Sequence, residues 1–274
     1  MPDYRFNSHS LSLEYPAVMG ILNLTPDSFS DGGNYMDPNL AVEKALQMVD
    51  EGAQIIDLGG ESTRPGSDPV PEKEEIRRVI PILEKLPLDQ FLISIDTTKA
   101  EVARLSLELG AHIINDVSGG NEKLLNIAQK NKSGFILMHA QGQPKDMQDQ
   151  PSYMNPFSEI RSFFDRKKEQ IQSLNLPRVW IDPGIGFGKT LSHNLELMKN
   201  LDGFTDDAWG VLLGSSRKSW IDHLCGAPDP AKRMGGSIAS ALDAVSKGAE
   251  IIRVHDVLET VQALQVAKEL ATNP

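Results

Sequence analysis

The sequence Ile251-Ile252-Arg253-Val254-His255 is a short apolar run that ends in two polar, basic side chains. A run of this length and composition predicts a buried strand. Because successive strand residues point to opposite faces, Arg253 and His255 are expected to point to the same side. The segment therefore predicts an anion site at the end of a strand.

The same pattern recurs along the whole chain. Seven other apolar runs finish in a polar group, at Asn23, Asp57, Asp96, Asn115, His139, Asp182 and the Ser216-Arg217-Lys218 cluster. The eight predicted strands cover residues 17–23, 54–58, 91–96, 112–116, 135–139, 179–182, 210–214 and 251–255. Eight strands with polar tips on one rim predict the mouth of an active site.

Amphipathic stretches with helical spacing separate these strands. They cover residues 40–50, 74–86, 100–109, 122–130, 157–173, 193–201, 233–247 and 257–270. The strands are apolar on both faces, as parallel strands covered by helices are. Eight strand–helix repeats predict a single (β/α)8 TIM barrel domain over residues 1–274, with residues 1–16 as a short N-terminal extension that forms a cover or hairpin. An open doubly wound sheet is the alternative.

The connecting segments differ between the two ends of the predicted barrel. Gly52, Gly110 and Gly248 stand where a helix must stop before the next strand. The loops that follow strands are longer and richer in Gly, Pro, Ser and Asp, notably 25–38 and 59–71 after the first two strands, and 140–155. This asymmetry places the function at the C-terminal rim, with long active-site loops after strands 1 and 2.

Composition narrows the classes of partner. The 274 residues carry a net charge of −11, from 27 basic and 38 acidic residues, which argues against nucleic acid or an anionic membrane. The single cysteine, Cys225, excludes an internal disulfide, and the N-terminus lacks the layout of a signal peptide. No apolar stretch approaches the roughly 20 residues of a membrane span. We therefore expect a cytoplasmic protein that holds any anionic substrate with a local cluster.

Three predicted strand ends are rich in hydrogen-bond acceptors. They carry Asp96, Asn115 and Asp182. A carboxylate accepts two parallel hydrogen bonds and an amide both donates and accepts, so the set suits a ligand edge with several N–H donors. A fused, amino-substituted heterocycle meets that demand. The alternative is that each residue only caps the following helix.

A second group of residues suits an anion. Residues 214–219 follow the seventh strand, where barrels often hold an anion with loop amides. Lys218 offers a compact charge and Arg217 a planar fork; solvated basic residues on a surface loop are the alternative. The amide oxygen of Asn23 suits Mg²⁺ that is otherwise bound by substrate phosphates. No His or Cys pair has the spacing of a zinc or iron site.

Two loops are expected to cover the rim. Phe29 as an apolar plug and Gly32-Gly33 as a hinge predict a lid that excludes water. Arg64 is expected to meet an anionic substrate or to pair with an acid, and an ordinary turn with a Glu61–Arg64 pair is the alternative. Residues 184–189 lack the full spacing of a phosphate-binding P-loop, so that assignment is rejected.

Five motifs, in this order, resemble the dihydropteroate synthase family of folate biosynthesis. They are residues 19–33, 57–66, 181–189, 216–219 and 253–255. The resemblance runs from about residue 17 to the C-terminus. It implies that a homodimer condenses 6-hydroxymethyl-7,8-dihydropterin diphosphate with 4-aminobenzoate, with Mg²⁺, and releases 7,8-dihydropteroate and diphosphate.

The resemblance also implies a role for each rim residue. The pterin would be held by Asp96, Asn115, Met138, Asp182 and Lys218. The diphosphate and its Mg²⁺ would be held by Asn23, Arg253 and His255. The aminobenzoate pocket would be shaped by Thr63, Arg64, Ser216, Phe29 and Phe187, and Arg217 is expected to contact substrate as well.

Catalysis is expected to depend on four of these residues. Departure of the diphosphate leaves positive charge on a methylene that is conjugated with the electron-rich pterin, as in an SN1-like displacement. Arg253, His255 and Mg²⁺ would neutralise the charge of the leaving group, and Asp96 would stabilise the cation. Lys218 is the fourth residue and converges with Asp96 on the pterin. The weakly basic aromatic amine then needs no strong general base.

Two other functions share some of these features. A pterin-binding methyltransferase that acts on methyltetrahydrofolate binds the pterin with a similar set of Asp, Asn and Asp side chains, but it needs no diphosphate site. A non-catalytic pterin-binding barrel would be expected to lack the two early loops or Lys218. This chain departs from the family pattern at Ser215, where a larger apolar residue is frequent, and at Ala140, where a second Met is common.

Overall fold

The computed structural model of the chain describes residues 3–6, 9–12, 16–25, 37–62, 66–142, 145–206 and 208–271. Eight parallel strands close into a barrel in chain order, so the predicted (β/α)8 fold is confirmed and an open sheet is excluded. The barrel strands are β3 (Ala17–Asn23), β4 (Ile55–Gly59), β5 (Leu92–Asp96), β6 (Ile113–Asp116), β7 (Gly134–Met138), β8 (Val179–Asp182), β9 (Gly210–Leu213) and β10 (Ile251–Val254). Two earlier strands, β1 (Asp3–Phe6) and β2 (His9–Ser12), pair antiparallel as a hairpin.

Nine α-helices lie in the described ranges. They are α1 (Pro38–Asp50), α2 (Glu72–Leu83), α3 (Ala100–Leu109), α4 (Glu122–Asn131), α5 (Pro156–Ile171), α6 (Leu191–Lys199), α7 (Ser219–Cys225), α8 (Met234–Ser246) and α9 (Val257–Ala271). Eight of them match predicted helices with ends shifted by up to three residues. Helix α7 was not predicted from the sequence, because seven residues are too few to display a helical repeat. None of the described helices is long and apolar enough to cross a membrane.

The apolar core has two parts. The barrel interior is filled by Phe6, Ala17, Met19, Ile55, Leu92, Ile113, Ile136, Trp180, Leu212 and Ile251. A larger cluster lies between the outer faces of the strands and the helices. The hairpin delivers Phe6 to the interior, where its ring centroid lies 6.3 Å from that of Trp180. The extension therefore acts as the expected cover, at the end of the barrel where strands begin.

The strand register sets the positions of the polar tips. Asp96 of β5 pairs with Asn115 of β6, and Met138 of β7 pairs with Asp182 of β8. These residues stand an even number of positions after apolar residues of the interior, so their side chains face inward. Gly52, Gly110 and Gly248 have φ angles of 105°, 114° and 89°, which suits their predicted role at helix ends. The polar tips thus form one layer directly above the apolar interior.

A buried ion-pair network anchors the segment that follows β4. The Nζ atom of Lys99 donates to Oε2 of Glu61 and to Oε2 of Glu75, both at 2.6 Å. Glu75 is fully buried, and the second carboxylate oxygen of Glu61 accepts from the backbone N–H of Val70 at 2.7 Å. Glu61 therefore pairs with Lys99 and ties both ends of the loop to the barrel.

We predict that Lys99→Met lowers the free energy of unfolding by about 3–5 kcal/mol, because it leaves the buried carboxylate of Glu75 unpaired. Urea unfolding followed by circular dichroism measures this. Lys44→Met is the matched control, since Lys44 makes an exposed hydrogen bond to Gln47 on the same helix, and a change within about 0.5 kcal/mol is expected there. Equal losses in the two variants would contradict the prediction.

Candidate active site

Arg253 lies at the centre of the polar layer. Its Nε donates to Oδ2 of Asp57 at 2.7 Å, and its Nη2 donates to Oδ2 of Asp96 at 2.9 Å. Asn115 donates from Nδ2 to the same oxygen of Asp57 at 3.1 Å. Four strands, β4, β5, β6 and β10, thus meet in one hydrogen-bonded network. Asp57 was recognised in the sequence only as a polar tip, and no role was predicted for it.

The network contains two carboxylates and only one guanidinium. The Oδ1 atoms of Asp57 and Asp96 are buried and have no hydrogen-bond partner among the described residues. Burial raises the pKa of Asp96 to about 7, with Arg253 opposing the rise and Asp57 adding to it. A buried carboxylate oxygen without a donor is costly to keep. The free Oδ1 of Asp96, at the wall of the cavity, is thus able to accept an N–H donor.

The alternative that these acceptors only cap the following helices is wrong, because the N-caps of α3, α4 and α6 are Lys99, Asn121 and Thr190. Asp116, the neighbour of Asn115, accepts from the backbone N–H groups of Ser118, Gly120 and Asn121 at 2.7–2.9 Å, so it organises the local turn. Asp182 accepts from Gly184 N at 2.7 Å, and burial raises the pKa of its carboxyl. Neither Asp96 nor Asn115 caps a helix. Those two side chains face the interior.

Lys218 lies against the loop that follows β8. Its Nζ donates to the Ile185 carbonyl at 2.5 Å and lies 4.3 Å from the ring centroid of Phe187. Burial lowers the pKa of Lys218 to about 8, and the charge of Asp182 opposes this. Lys218 and Phe187 thus form one wall of the site. The charged amine of Lys218 belongs to this wall and lies near Asp182.

Ser216 and His255 form a second corner. Ser216 Oγ lies 3.1 Å from His255 Nδ1 and accepts from the His255 backbone N–H at 3.2 Å. The guanidinium of Arg217 is instead paired with Asp256 through Nε and Nη2. Arg217 has a left-handed φ of 58°, a strained conformation for a residue other than glycine. The expected contact between Arg217 and substrate stays a prediction, while its pairing with Asp256 organises the corner.

Asp96 and Arg253 of the polar network share one cavity with Lys218 and with the corner formed by Ser216 and His255. Its volume is about 410 Å³, the size of a small-molecule site. Its walls include Asn23, Asp96, Phe187, Ser216, Arg217, Lys218, Arg253 and His255. A neighbouring cavity of about 440 Å³ is lined by Met138 and Ala140 and shares Phe187. Asp182 is adjacent, because a Cβ added at the wall residue Gly214 would lie 3.4 Å from its Oδ2. The carboxylate of Asp96 and the basic side chains of Lys218, Arg253 and His255 therefore face the same space, with Asp182 adjacent to it.

Three candidate residues lie outside the described residues. They are Phe29, Thr63 and Arg64. The predictions that Phe29 plugs the site and that Thr63 and Arg64 contact aminobenzoate or an anion stay predictions. Ser62, the last described residue before this gap, lines both cavities.

The donor set limits the kind of metal that the site suits. The described residues contain no group of three or more His, Cys, Asp or Glu side chains that could hold a metal ion. Asn23 contributes an amide oxygen to the cavity that also contains Ser216 and His255. Mg²⁺ keeps most of its waters and is commonly bound by one or two protein ligands and substrate phosphates. The residues fit a metal that arrives with a phosphorylated ligand.

The chain is similar to a known protein family, to its members and to their solved structures. Residues 19–255 match the family described as pterin binding enzyme. The chain is 46% identical over 263 residues to dihydropteroate synthase of Escherichia coli strain K12, covering 94% of this chain and 93% of the relative. Two structures of Xanthomonas albilineans dihydropteroate synthase cover 100% of both chains. The structure with 4-aminobenzoic acid has a TM-score of 0.90 at 38% identity, and the structure with 7,8-dihydropteroate has 0.88 at 36%.

Proposed function

The chain belongs to the dihydropteroate synthases of the pterin binding enzyme family, and from this membership we propose the reaction and the roles of its residues. The enzyme condenses 6-hydroxymethyl-7,8-dihydropterin diphosphate with 4-aminobenzoate to give 7,8-dihydropteroate and diphosphate. The proposal rests on the shared cavity, in which the carboxylate of Asp96 lies beside Lys218, Arg253 and His255. That pairing suits a substrate with an N–H-rich ring at one end and phosphates at the other.

The acidic end of the site would recognise the pterin. Asp96 and Asp182 accept from its ring N–H and amino groups, and Asn115 both donates and accepts. Asn115 is held in place by Asp57 through a 3.1 Å hydrogen bond. Lys218 would donate to the acceptor atoms of the ring, and Met138 would pack beside it. A ring bound in this way would supply the donor that Oδ1 of Asp96 lacks.

The chemistry is a displacement at the pterin methylene. The bond between this carbon and the diphosphate oxygen breaks, and the electron pair leaves with the diphosphate. Arg253, His255 and Ser216 would stabilise that departing charge, while ionised Asp96 stabilises the positive charge that spreads into the ring. The aminobenzoate nitrogen then attacks the carbon and releases a proton.

Exclusion of water protects the electrophilic carbon from hydrolysis. Phe187 covers Lys218 at 4.3 Å and forms an apolar wall of the cavity. We propose that the loops carrying Phe29, Thr63 and Arg64 complete the aminobenzoate pocket. The carboxylate of aminobenzoate would then meet Arg64, Ser216 or the nearby Arg217.

Mg²⁺ is proposed as a companion of the diphosphate, bound by Asn23 and phosphate oxygens, where it would neutralise negative charge on the leaving group. We expect Mg²⁺ alone to give no measurable heat in calorimetry with the protein, and Mg²⁺ with inorganic diphosphate to bind. Asn23→Ala is expected to weaken this binding about tenfold, which corresponds to about 1.4 kcal/mol. Tight binding of Mg²⁺ alone, or an unchanged variant, would contradict the assignment.

The methyltransferase function is less consistent with the site. A methyl donor such as methyltetrahydrofolate has no diphosphate, yet Ser216 and His255 form an ordered polar corner in the same cavity as Asn23 and Arg253. We therefore favour the synthase. The test is to mix purified protein, Mg²⁺, the dihydropterin diphosphate and 4-aminobenzoate, and to measure dihydropteroate and diphosphate. Methyl transfer from methyltetrahydrofolate in place of that reaction would reverse the choice.

We also propose that the enzyme is a homodimer through the outer face of α8 and α9. Val266 and Leu270 are 59% and 82% exposed there, beside Ile238 and Leu242. Adjoining exposed apolar side chains are a common sign of an interface.

Light scattering should give a mass about twice the 30.1 kDa of one chain. Val266→Glu with Leu270→Glu should give the mass of one chain, because two charges per subunit would be buried against apolar partners. Leu109→Glu, an exposed leucine on α3, is the control and should remain dimeric. A monomeric parent protein, or a dimeric double variant, would contradict this interface.

A cytoplasmic location is proposed from the single cysteine and the acidic composition. Such usage suits a reducing compartment. Fractionation of the producing cells should recover the activity with cytosolic markers, and recovery with the membrane fraction would contradict this.

A further inference from the structure

Lys189 is a buried lysine behind the active-site wall that takes no part in the reaction described above. Lys189 is only 3% exposed, and burial lowers the pKa of its amine to about 7. Nζ donates to the carbonyl of Phe187 at 3.0 Å and to the carbonyl of His139 at 3.3 Å. It also lies 3.2 Å from Nδ1 of His139. A protonated amine has three N–H donors, and these three acceptors match them.

The acceptors of Lys189 belong to two different loops. His139 follows β7, and Phe187 lies in the loop after β8. The loops touch through their backbones at Gly184 and Gly188, which have φ angles of 68° and 62°. A Cβ added at Gly184 would lie 1.9 Å from the carbonyl oxygen of His139, and one at Gly188 would lie 2.2 Å from that of Gln141. The amine of Lys189 therefore joins two loops that are already in backbone contact.

The front of the same loop forms part of the active site. The Ile185 carbonyl accepts from Lys218 Nζ, and the Phe187 ring lies over that amine. Phe187 also lines both cavities. The loop is thus held by Lys189 from behind and contacts Lys218 in front, so a shift at Phe187 would move the wall of the pterin site.

We propose that Lys189 is a positioning residue, which fixes Phe187 and through it Lys218, and this role rests on the proposed function of the site. The lysine at the end of a glycine-rich loop usually suggests phosphate binding. Here its donors are all directed at protein acceptors. Lys189 therefore orders the wall and makes no contact with substrate.

The first test is steady-state kinetics of Lys189→Met, which keeps the length of the side chain and removes its donors. The KM for the dihydropterin diphosphate should rise about tenfold, with kcat within about threefold of the parent. A purely structural role would instead lower the active fraction, and so kcat, at unchanged KM. Lys247→Met is the matched control, because Lys247 also donates to a backbone carbonyl, that of Met198, far from the site. An unchanged KM in Lys189→Met would overturn the proposal.

A double-mutant cycle tests whether Lys189 acts through Phe187. Phe187→Leu alone should raise the same KM, and adding Lys189→Met should raise it less than twofold further. Independent, multiplicative effects would overturn the proposal. If Lys189→Met does not fold, Lys189→Gln replaces it in the cycle, since its amide retains two donors; a milder rise in KM, still non-additive with Phe187→Leu, is expected.

Hydrogen exchange separates this proposal from the proposed reaction. Residues 184–189 should exchange faster in Lys189→Met than in the parent protein, whether or not dihydropteroate is formed. If the parent makes no dihydropteroate, the proposed function fails while the exchange result still reports on the loop. Unchanged exchange in this loop would overturn the role of Lys189 even in a fully active synthase.

Discussion

Asp96→Asn is expected to lower kcat/KM for dihydropteroate synthesis about 10²–10³-fold, the loss found when a preorganised electrostatic contact to a transition state is removed. Asn keeps the shape of the side chain but supplies no negative charge to the cation at the pterin methylene. It also replaces one acceptor oxygen by an N–H donor. Steady-state kinetics on the purified variant measures the loss.

The pH dependence identifies the charge as the cause. The pKa of Asp96 is raised to about 7 by burial, so ionised Asp96 is lost as the pH falls through that value. The parent kcat/KM should therefore decline on the acid side with a midpoint near 7, and this decline should be absent in Asp96→Asn.

Stability should follow the opposite sign. The folded-state pKa of Asp96 lies above its ordinary value of 3.8, so ionisation costs stability as the pH rises from about 4 to about 7. The unfolding temperature of Asp96→Asn should therefore gain on that of the parent protein over this range. Asp165→Asn, at an exposed carboxylate on α5, should change neither property. Full activity in Asp96→Asn, with an unchanged acid limb, would remove Asp96 from the mechanism.

Lys218→Ala is expected to lower kcat/KM about 10²-fold or more, with the fold retained. The change removes a charged donor from the wall of the pterin cavity and its contact with the Phe187 ring. The pKa of Lys218 is lowered to about 8 by burial, so the protonated amine is lost as the pH rises through that value. The parent enzyme should therefore lose activity on the basic side near pH 8.

Lys218→Met separates the charge from the packing. It should be about as inactive as Lys218→Ala, and both should lack the basic limb near pH 8. The exposed Lys199 provides the control, and Lys199→Ala should match the parent protein. Near-parental rates in Lys218→Met would show that the apolar part of the side chain is sufficient and would exclude a role for the charge.

The barrel could be predicted because the residues of each strand reflect whether their own surroundings are apolar or polar. A parallel strand covered on both sides must be apolar throughout, and only its rim end is free to be polar, as in the segment that ends at Asp96. The glycines at residues 52, 110 and 248 add a local signal, because only they adopt positive φ easily. Helix α7 has such a glycine at its end, Gly226 with a φ of 64°, but its seven residues are too few to display a helical repeat.

The sequence predicts which residues lie at the candidate site, but it does not predict which of their side chains pair with one another. The sequence predicts that Asp96, Lys218 and Arg253 belong to one rim, because the ends of parallel strands meet there. The pairing of Arg253 with Asp57, which lies 196 residues away, and that of Arg217 with Asp256 were not predicted. Partners across a barrel depend on side-chain reach and register, which no local pattern contains. Lys189 was missed for the same reason.

A crystal structure of the protein with the dihydropterin diphosphate bound would show directly where the ring and the phosphates lie. We expect the edge of the ring to contact the carboxylates of Asp96 and Asp182 and the amide of Asn115. We expect the phosphates to lie beside Arg253, Ser216 and His255. A ring bound outside this cavity, or phosphates bound beside the carboxylates of Asp96 and Asp182, would contradict the proposed site.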